Sequence, residues 1–179
     1  MKTPFELLSA EIKTQRDTDA PPLHLWHPPL SGDIAIRIDA QGTWYHEEVR
    51  ITRDSLVRLF ASILRREEDG EYYLVAPSEK WRIQVASHPL LVTDIDMAEV
   101  AGVRMLRATL NTGKHLLVDG QHPLFLDPEA VTIAVMSLPN GLTALCTRAA
   151  WYRLVDLAEQ EENGLILRSG NFQLRLPVN

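Results

Sequence analysis

Nine residues, Thr52-Arg53-Asp54-Ser55-Leu56-Val57-Arg58-Leu59-Phe60, are answered by Thr147-Arg148-Ala149-Ala150-Trp151-Tyr152-Arg153-Leu154-Val155, and the offset of 95 residues holds at Thr, Arg, Arg and Leu. The echo spreads outward. Ile34-Ala35-Ile36 and Gln41-Gly42 match Ile133-Ala134-Val135 and Asn140-Gly141 upstream; Glu68-Asp69-Gly70 and Trp81-Arg82-Ile83-Gln84-Val85 match Glu162-Asn163-Gly164 and Phe172-Gln173-Leu174-Arg175-Leu176 downstream. A duplication fixes architecture before any motif does. It predicts two similar lobes with a seam between them.

Each copy reads as hairpin, helix, hairpin. Ile34, Ile36 and Ile38 alternate with Ala35 and Arg37, and Asp39-Ala40-Gln41-Gly42 turns the chain toward Trp44, Tyr45 and Val49. After Thr52 the apolar residues Leu56, Val57, Leu59, Phe60, Ile63 and Leu64 shift to a helical period, with Gly70 as the expected stop. A hairpin over Tyr72-Val75 and Trp81-Val85 follows. The second copy starts near Val131, turns at Asn140-Gly141, runs as a helix from about Arg148 to Asn163-Gly164, and ends in its own hairpin. Between the copies, Leu90 to Leu126 reads as β throughout, with a turn at Asn111-Thr112-Gly113.

At the N-terminus Thr3-Pro4-Phe5-Glu6 has the form of a capping box, so a short amphipathic helix begins there, and Asp17-Thr18-Asp19-Ala20-Pro21-Pro22 forms a linker. The expected class is α+β, two lobes of antiparallel hairpins with one helix each. The boundaries fall at 1–22 for helix and linker, 23–87 for the N-terminal domain and 88–179 for the C-terminal domain.

A net charge of −6 opposes nucleic-acid binding, and no apolar run reaches the length of about 20 residues that crosses a bilayer. The single cysteine, Cys146, sits in an apolar strand and reads as an inert core thiol. With no signal-peptide pattern, a cytoplasmic location is expected. His24, His27 and His46 lack the converging partners of a metal site, and the chain has no nucleophile elbow and no phosphate-cradling loop. Neither a metal nor a cofactor nor a catalytic residue is assigned.

The polar residues that stand out are Arg53 and Arg148, each in the first turn of an expected helix, where the macrodipole disfavours a cation. Either a carboxylate such as Asp33 or Glu79 compensates, or a bound anion does. Trp44-Tyr45, Tyr72-Tyr73 and Trp81 cluster aromatics in the first half, where they serve the core or line an apolar pocket. A ligand site drawn from Asp33, Trp44, Tyr45, Arg53, Glu79, Lys80, Trp81 and Arg148 therefore defines the leading expectation: a non-catalytic protein binding an unknown small molecule between its domains. The alternatives are a small hydrolase or transferase with an acid–base pair from Asp33, Glu79, Lys80 and His46, or a module that binds a protein partner.

Gly32-Asp33-Ile34, Arg37-Ile38, Gly42-Thr43-Trp44-Tyr45, Leu56-Val57-Arg58-Leu59-Phe60, Leu64-Arg65-Arg66-Glu67, Tyr73-Leu74-Val75, Glu79-Lys80-Trp81-Arg82-Ile83 and His122-Pro123-Leu124 together resemble the domain-of-unknown-function family DUF1285, over roughly residues 25 to 176. The resemblance implies a bacterial protein with a duplicated motif, a C-terminal lobe like a pleckstrin-homology barrel, a ligand site between the halves and a role in signal transduction. It implies no established activity. Lipid binding does not follow from such a barrel, because the second half offers only isolated cations, Lys114, Arg148 and Arg153.

Overall fold

A computed structural model describes residues 1–13, 20–128 and 133–177. Residues 14–19, which include the first half of the expected linker Asp17–Pro22, and the expected start of the second copy near Val131 lie outside the described residues. The chain divides into two compact units, Met1–Pro89 with Asn140–Leu142, and Leu90–Pro139 with Thr143–Asn179. No helix among the described residues is long and apolar enough to cross a membrane.

Helix α1, Pro4–Lys13, starts as its sequence dictates: the Thr3 amide donates to Glu6 Oε2 at 2.8 Å while the Glu6 amide donates to Thr3 Oγ1 at 3.3 Å. Leu8 and Ile12, four apart on one face, are fully buried. Phe5 stacks on His46 with ring centroids 4.1 Å apart and meets Phe60 edge-on.

The first unit is one six-stranded sheet with helix α2. Its strands are β1 (Leu30–Ile38), β2 (Trp44–His46), β3 (Val49–Arg50), β4 (Leu64–Arg66), β5 (Tyr72–Val75) and β6 (Lys80–Val85), and α2 spans Asp54–Ser62. The spatial order is β3-β2-β1-β6-β5-β4. Alternation works as expected in β1, where Ile34, Ile36 and Ile38 are buried. Two expectations fail. Helix α2 stops at Ser62 rather than Gly70, since Leu64-Arg65-Arg66 pairs antiparallel with Tyr72-Tyr73-Leu74 and Gly70 serves the turn between those strands. The sheet is also not purely antiparallel: β1 and β6 run parallel, because α2 and the β4–β5 hairpin form a crossover that returns the chain in its original direction.

The second unit holds a six-stranded sheet built from β7 (Leu90–Val100), β8 (Val103–Leu110), β9 (His115–Leu117), β10 (Leu124–Leu126), β11 (Ala134–Ser137) and β12 (Thr143–Cys146), in the order β10-β11-β12-β7-β8-β9. Here β12 pairs parallel with β7. Asn140 and Gly141 both take positive φ between β11 and β12, as the Asn-Gly signal requires. Helix α3, Arg148–Leu157, buries Ala150 and Leu154 and lies against β7. It ends before Asn163-Gly164, repeating the early stop of α2, and leads into a separate three-stranded meander of β13 (Glu159–Glu161), β14 (Gly164–Ser169) and β15 (Phe172–Leu176). Among the described residues no barrel closes: β9 and β10 remain the two edges of the larger sheet, and the meander does not bridge them. The described residues show an open six-stranded sheet and a separate three-stranded one, and the pleckstrin-like barrel is not confirmed.

Candidate functional site

Four of the expected site residues meet where β1 and β6 begin to pair. Leu30 lies opposite Lys80, Gly32 opposite Trp81 and Asp33 opposite Arg82. The Trp81 ring lies over Gly32, and its Nε1 donates to Glu79 Oε2 at 3.1 Å. Lys80 reaches the other way, donating from Nζ to both carboxylate oxygens of Glu67 at 3.2 and 3.0 Å. Glu67 also accepts from Arg65 Nη2 at 2.6 Å, and Arg65 in turn donates to the carbonyls of Leu23 and Trp26. Burial alone would raise the Glu67 carboxyl, but hydrogen bonds from Arg65 and Lys80, with their charges, outweigh it and hold the group below the usual carboxylate range.

The same strands carry two further pairs. Arg82 Nε donates to Asp33 Oδ1 at 2.6 Å, and that hydrogen bond holds Asp33 below its ordinary value. Tyr73 donates its phenol to Asp69 Oδ2 at 2.5 Å beneath the Lys80 ammonium, which sits 4.7 Å from the ring centroid. The bond to Asp69, with burial, pushes the Tyr73 phenol up to about 12. Asp33, Glu79 and Lys80 are thus each engaged by a neighbour on the sheet. His46, the fourth group named for acid–base work, is stacked on Phe5.

The remaining candidates are not members of this group. Trp44 is a core residue, 1% exposed and stacked on Phe60, and its Nε1 has no hydrogen-bond partner among the described residues. Tyr45 donates to Asp39 Oδ2 and lies under Arg37, whose guanidinium sits 3.9 Å from the ring centroid and is held by Glu48. Arg53 is the N-cap residue of α2 and Arg148 the first residue of α3; both are exposed, and neither has a carboxylate partner among the described residues. The carboxylates nominated to compensate them are committed elsewhere, Asp33 to Arg82 and Glu79 to Trp81. Cys146 is buried, and desolvation raises its thiol to about 12, so it stays protonated at neutral pH.

A cavity of about 610 Å³ opens in the second unit, and none of the eight expected residues lines it. Its walls are Val100 from β7, Val103 and Met105 from β8, Leu117 from β9 and Phe172 and Gln173 from β15, with Asp119, Gly120, Ser169, Gly170 and Asn171 completing the lining. The tip of the β14–β15 hairpin is pinned to the sheet to form it. Ser169 Oγ accepts from the Leu106 amide at 2.8 Å and donates to the Val118 carbonyl at 2.5 Å, while the Gly170 amide donates to the Arg104 carbonyl at 3.0 Å. Val100 and Val103, opposite each other beside the Ala101-Gly102 turn, remain 42% and 48% exposed. Sequence reasoning passed over this region, although two valines flanking a surface turn are a legible oddity, since polar residues ordinarily occupy such places. Among the described residues no cluster of His, Cys, Asp or Glu is fit to hold a metal ion.

Comparison with known proteins identifies the relatives. The description "Domain of unknown function (DUF1285), N-terminal domain" fits residues 21–87, and "Protein of unknown function (DUF1285), C-terminal domain" fits residues 89–176. A crystal structure of a DUF1285 family protein from Silicibacter pomeroyi DSS-3 is 35% identical with a TM-score of 0.80, covering 94% of this chain and 93% of its own. Another from Shewanella baltica OS155 is 28% identical with a TM-score of 0.55, covering 69% of this chain and 91% of its own. No curated protein matches the chain. With both halves matched in order and a solved relative aligned over nearly its whole length, the chain belongs to the DUF1285 family.

Proposed function

We propose that this protein is a cytoplasmic, non-catalytic, regulatory small-molecule-binding protein whose ligand occupies the cavity of the C-terminal unit. The observation that carries the reading is that cavity: about 610 Å³ falls within the range of roughly 300–1,000 Å³ typical of small-ligand sites, and its walls are mainly apolar with a few polar groups in the lining. Further support comes from the N-terminal unit, where the groups nominated for acid–base work are engaged in ion pairs, hydrogen bonds or ring stacking. A net charge of −6 argues for a small molecule over a nucleic acid as the partner.

The test is thermal denaturation against a metabolite library, because a ligand that binds only the native state must raise stability, by about 2.7 kcal/mol at a hundredfold excess over Kd. At least one compound should stabilise the protein and should bind less well to Val103→Arg, which puts a long charged side chain on the apolar wall of the cavity. A hit that acts equally on Val103→Arg, or a library with no hits, ends this reading.

A further inference from the structure

We infer that the ligand of this cavity joins an apolar body to a positively charged amine. The inference rests on the ligand-binding reading above and adds the chemistry of the head group. Five lining side chains, Val100, Val103, Met105, Leu117 and Phe172, offer only apolar surface, which calls for an aliphatic or aromatic body. Of the polar lining residues, Ser169 has its hydroxyl committed twice to backbone groups, so it holds the wall together and does not read a ligand. Asn171 and Gln173 bring neutral amides, able to donate or accept.

Among the described residues Asp119 is the only lining residue with a charged side chain. Its Oδ1 accepts the amides of Gln121 and His122 at 2.9 and 2.8 Å, which fixes the carboxylate at the end of β9, while Oδ2 takes no hydrogen bond among those of the described residues. His122 Nδ1 lies 3.3 Å from Oδ1 without the alignment of a hydrogen bond, and His122 does not line the cavity. Among the described residues no lysine or arginine lines it either. A ligand that covers Asp119 must therefore offset the desolvation of a carboxylate, which an ammonium does and a neutral head does only in part. An anionic head would meet like charge, with no lysine or arginine among the described lining residues to balance it.

The probes are octylamine, 1-octanol and octanoate, which share a body and differ in the head, titrated calorimetrically into the full chain at neutral pH. Octylamine should bind about three- to tenfold more tightly than octanol, a modest factor because Asp119 is partly exposed, and octanoate should bind most weakly. Asp119→Asn retains an oxygen for the two backbone amides, so it keeps the turn while removing the charge. In this variant octylamine and octanol should bind alike, with octanol unchanged. On the unaltered protein, high salt should narrow the gap between amine and alcohol, a readout that needs no variant to fold. Octanoate binding as tightly as octylamine, or an amine preference that survives Asp119→Asn, overturns the inference. If the three bind equally, the cavity stands and the amine falls; if none binds, the cavity reading falls with it.

Discussion

The two copies of the duplicated segment begin alike and end differently. In the first, the meander β4-β5-β6 joins β1 through the parallel β1–β6 pair and becomes part of one sheet. In the second, β13-β14-β15 occupies the matching place in sequence, β13 lying 95 residues beyond β4, yet it remains a sheet of its own. Edge occupancy explains the divergence. β1 has nine residues and pairs with β2 only through Ile36 to Ile38, so its other edge is open to β6. β11 has four and is already flanked by β10 and β12, so β15 finds no free edge there. Left outside the main sheet, the β14–β15 tip settles over Met105, and the cavity exists because of it. The candidate site lies where the repeat breaks.

Charge follows the same division. The incorporated strand β6 is stitched down by the partly buried Lys80–Glu67 pair and by the exposed Arg82–Asp33 pair, whereas in the meander of the second copy Arg168 pairs with Glu159 and Glu161 at a position more exposed than Lys80–Glu67, and Arg175 lies only loosely near Glu161 at 3.8 Å. Glu67→Ala should therefore cost about 2 kcal/mol, because it strands two partly buried cations, while Glu161→Ala should cost less than about 1 kcal/mol. Chemical denaturation followed by tryptophan fluorescence separates the two, since Trp26, Trp44 and Trp81 belong to the first unit and Trp151 to the second. Equal losses would break the comparison. The pH dependence has a defined sign: Glu67 is held below its ordinary value of 4.5, so its stabilisation is complete above that pH and disappears as pH falls through the lowered value. The stability gap between the protein and Glu67→Gln should close in acid.

The glycines of the two meanders sharpen the contrast at a smaller scale. Gly70, at φ +82°, has only the tip of Arg66 near its missing Cβ, at 3.8 Å, whereas a Cβ on Gly170, at φ +55°, would come within 2.7 Å of Met105 Sδ. Gly70→Ala should cost about 1 kcal/mol from backbone strain alone, and Gly170→Ala about 1–2 kcal/mol, since the flexible methionine must also give way. A double-mutant cycle with Met105→Ala should recover the difference at Gly170 and nothing at Gly70. Coupling at both positions would mean that the hairpin tip is not what sets the cavity wall.

Local patterns were legible and non-local ones were not. The capping box at Thr3, the Asn140-Gly141 turn and the duplicated order of elements could all be read because each is written within a few residues. The ends of α2 and α3 could not. Ile63 and Leu64 continue a helical period, but Arg65 finds the carbonyls of Leu23 and Trp26 some forty residues upstream, and Leu64 finds Leu74 across a hairpin. Such partners outweigh propensities worth a few tenths of a kcal/mol per residue. Lys80 and Asp33 looked available for a ligand for the same reason: Glu67 and Arg82 become their partners only once β4, β6 and β1 are assembled. The cavity left a fainter trace in the valines beside Ala101-Gly102, visible as an exception to polar turns and not as a motif.

The smallest effect separates the two helix starts. Thr147 caps α3 by accepting the Ala150 amide at 3.2 Å, but the cap of α2 falls on Arg53, one residue past Thr52, whose side chain makes no capping hydrogen bond. Thr147→Ala should cost about 1 kcal/mol, and Arg53→Ser should gain roughly 0.5–1 kcal/mol by supplying an acceptor and removing a cation from the positive end of the helix. Both changes are read from thermal midpoints at low ionic strength, where the dipole contribution is least screened. A loss of stability on Arg53→Ser would show that the arginine already has an anionic partner in solution, and the two copies would then differ in what they bind as well as in how they are capped.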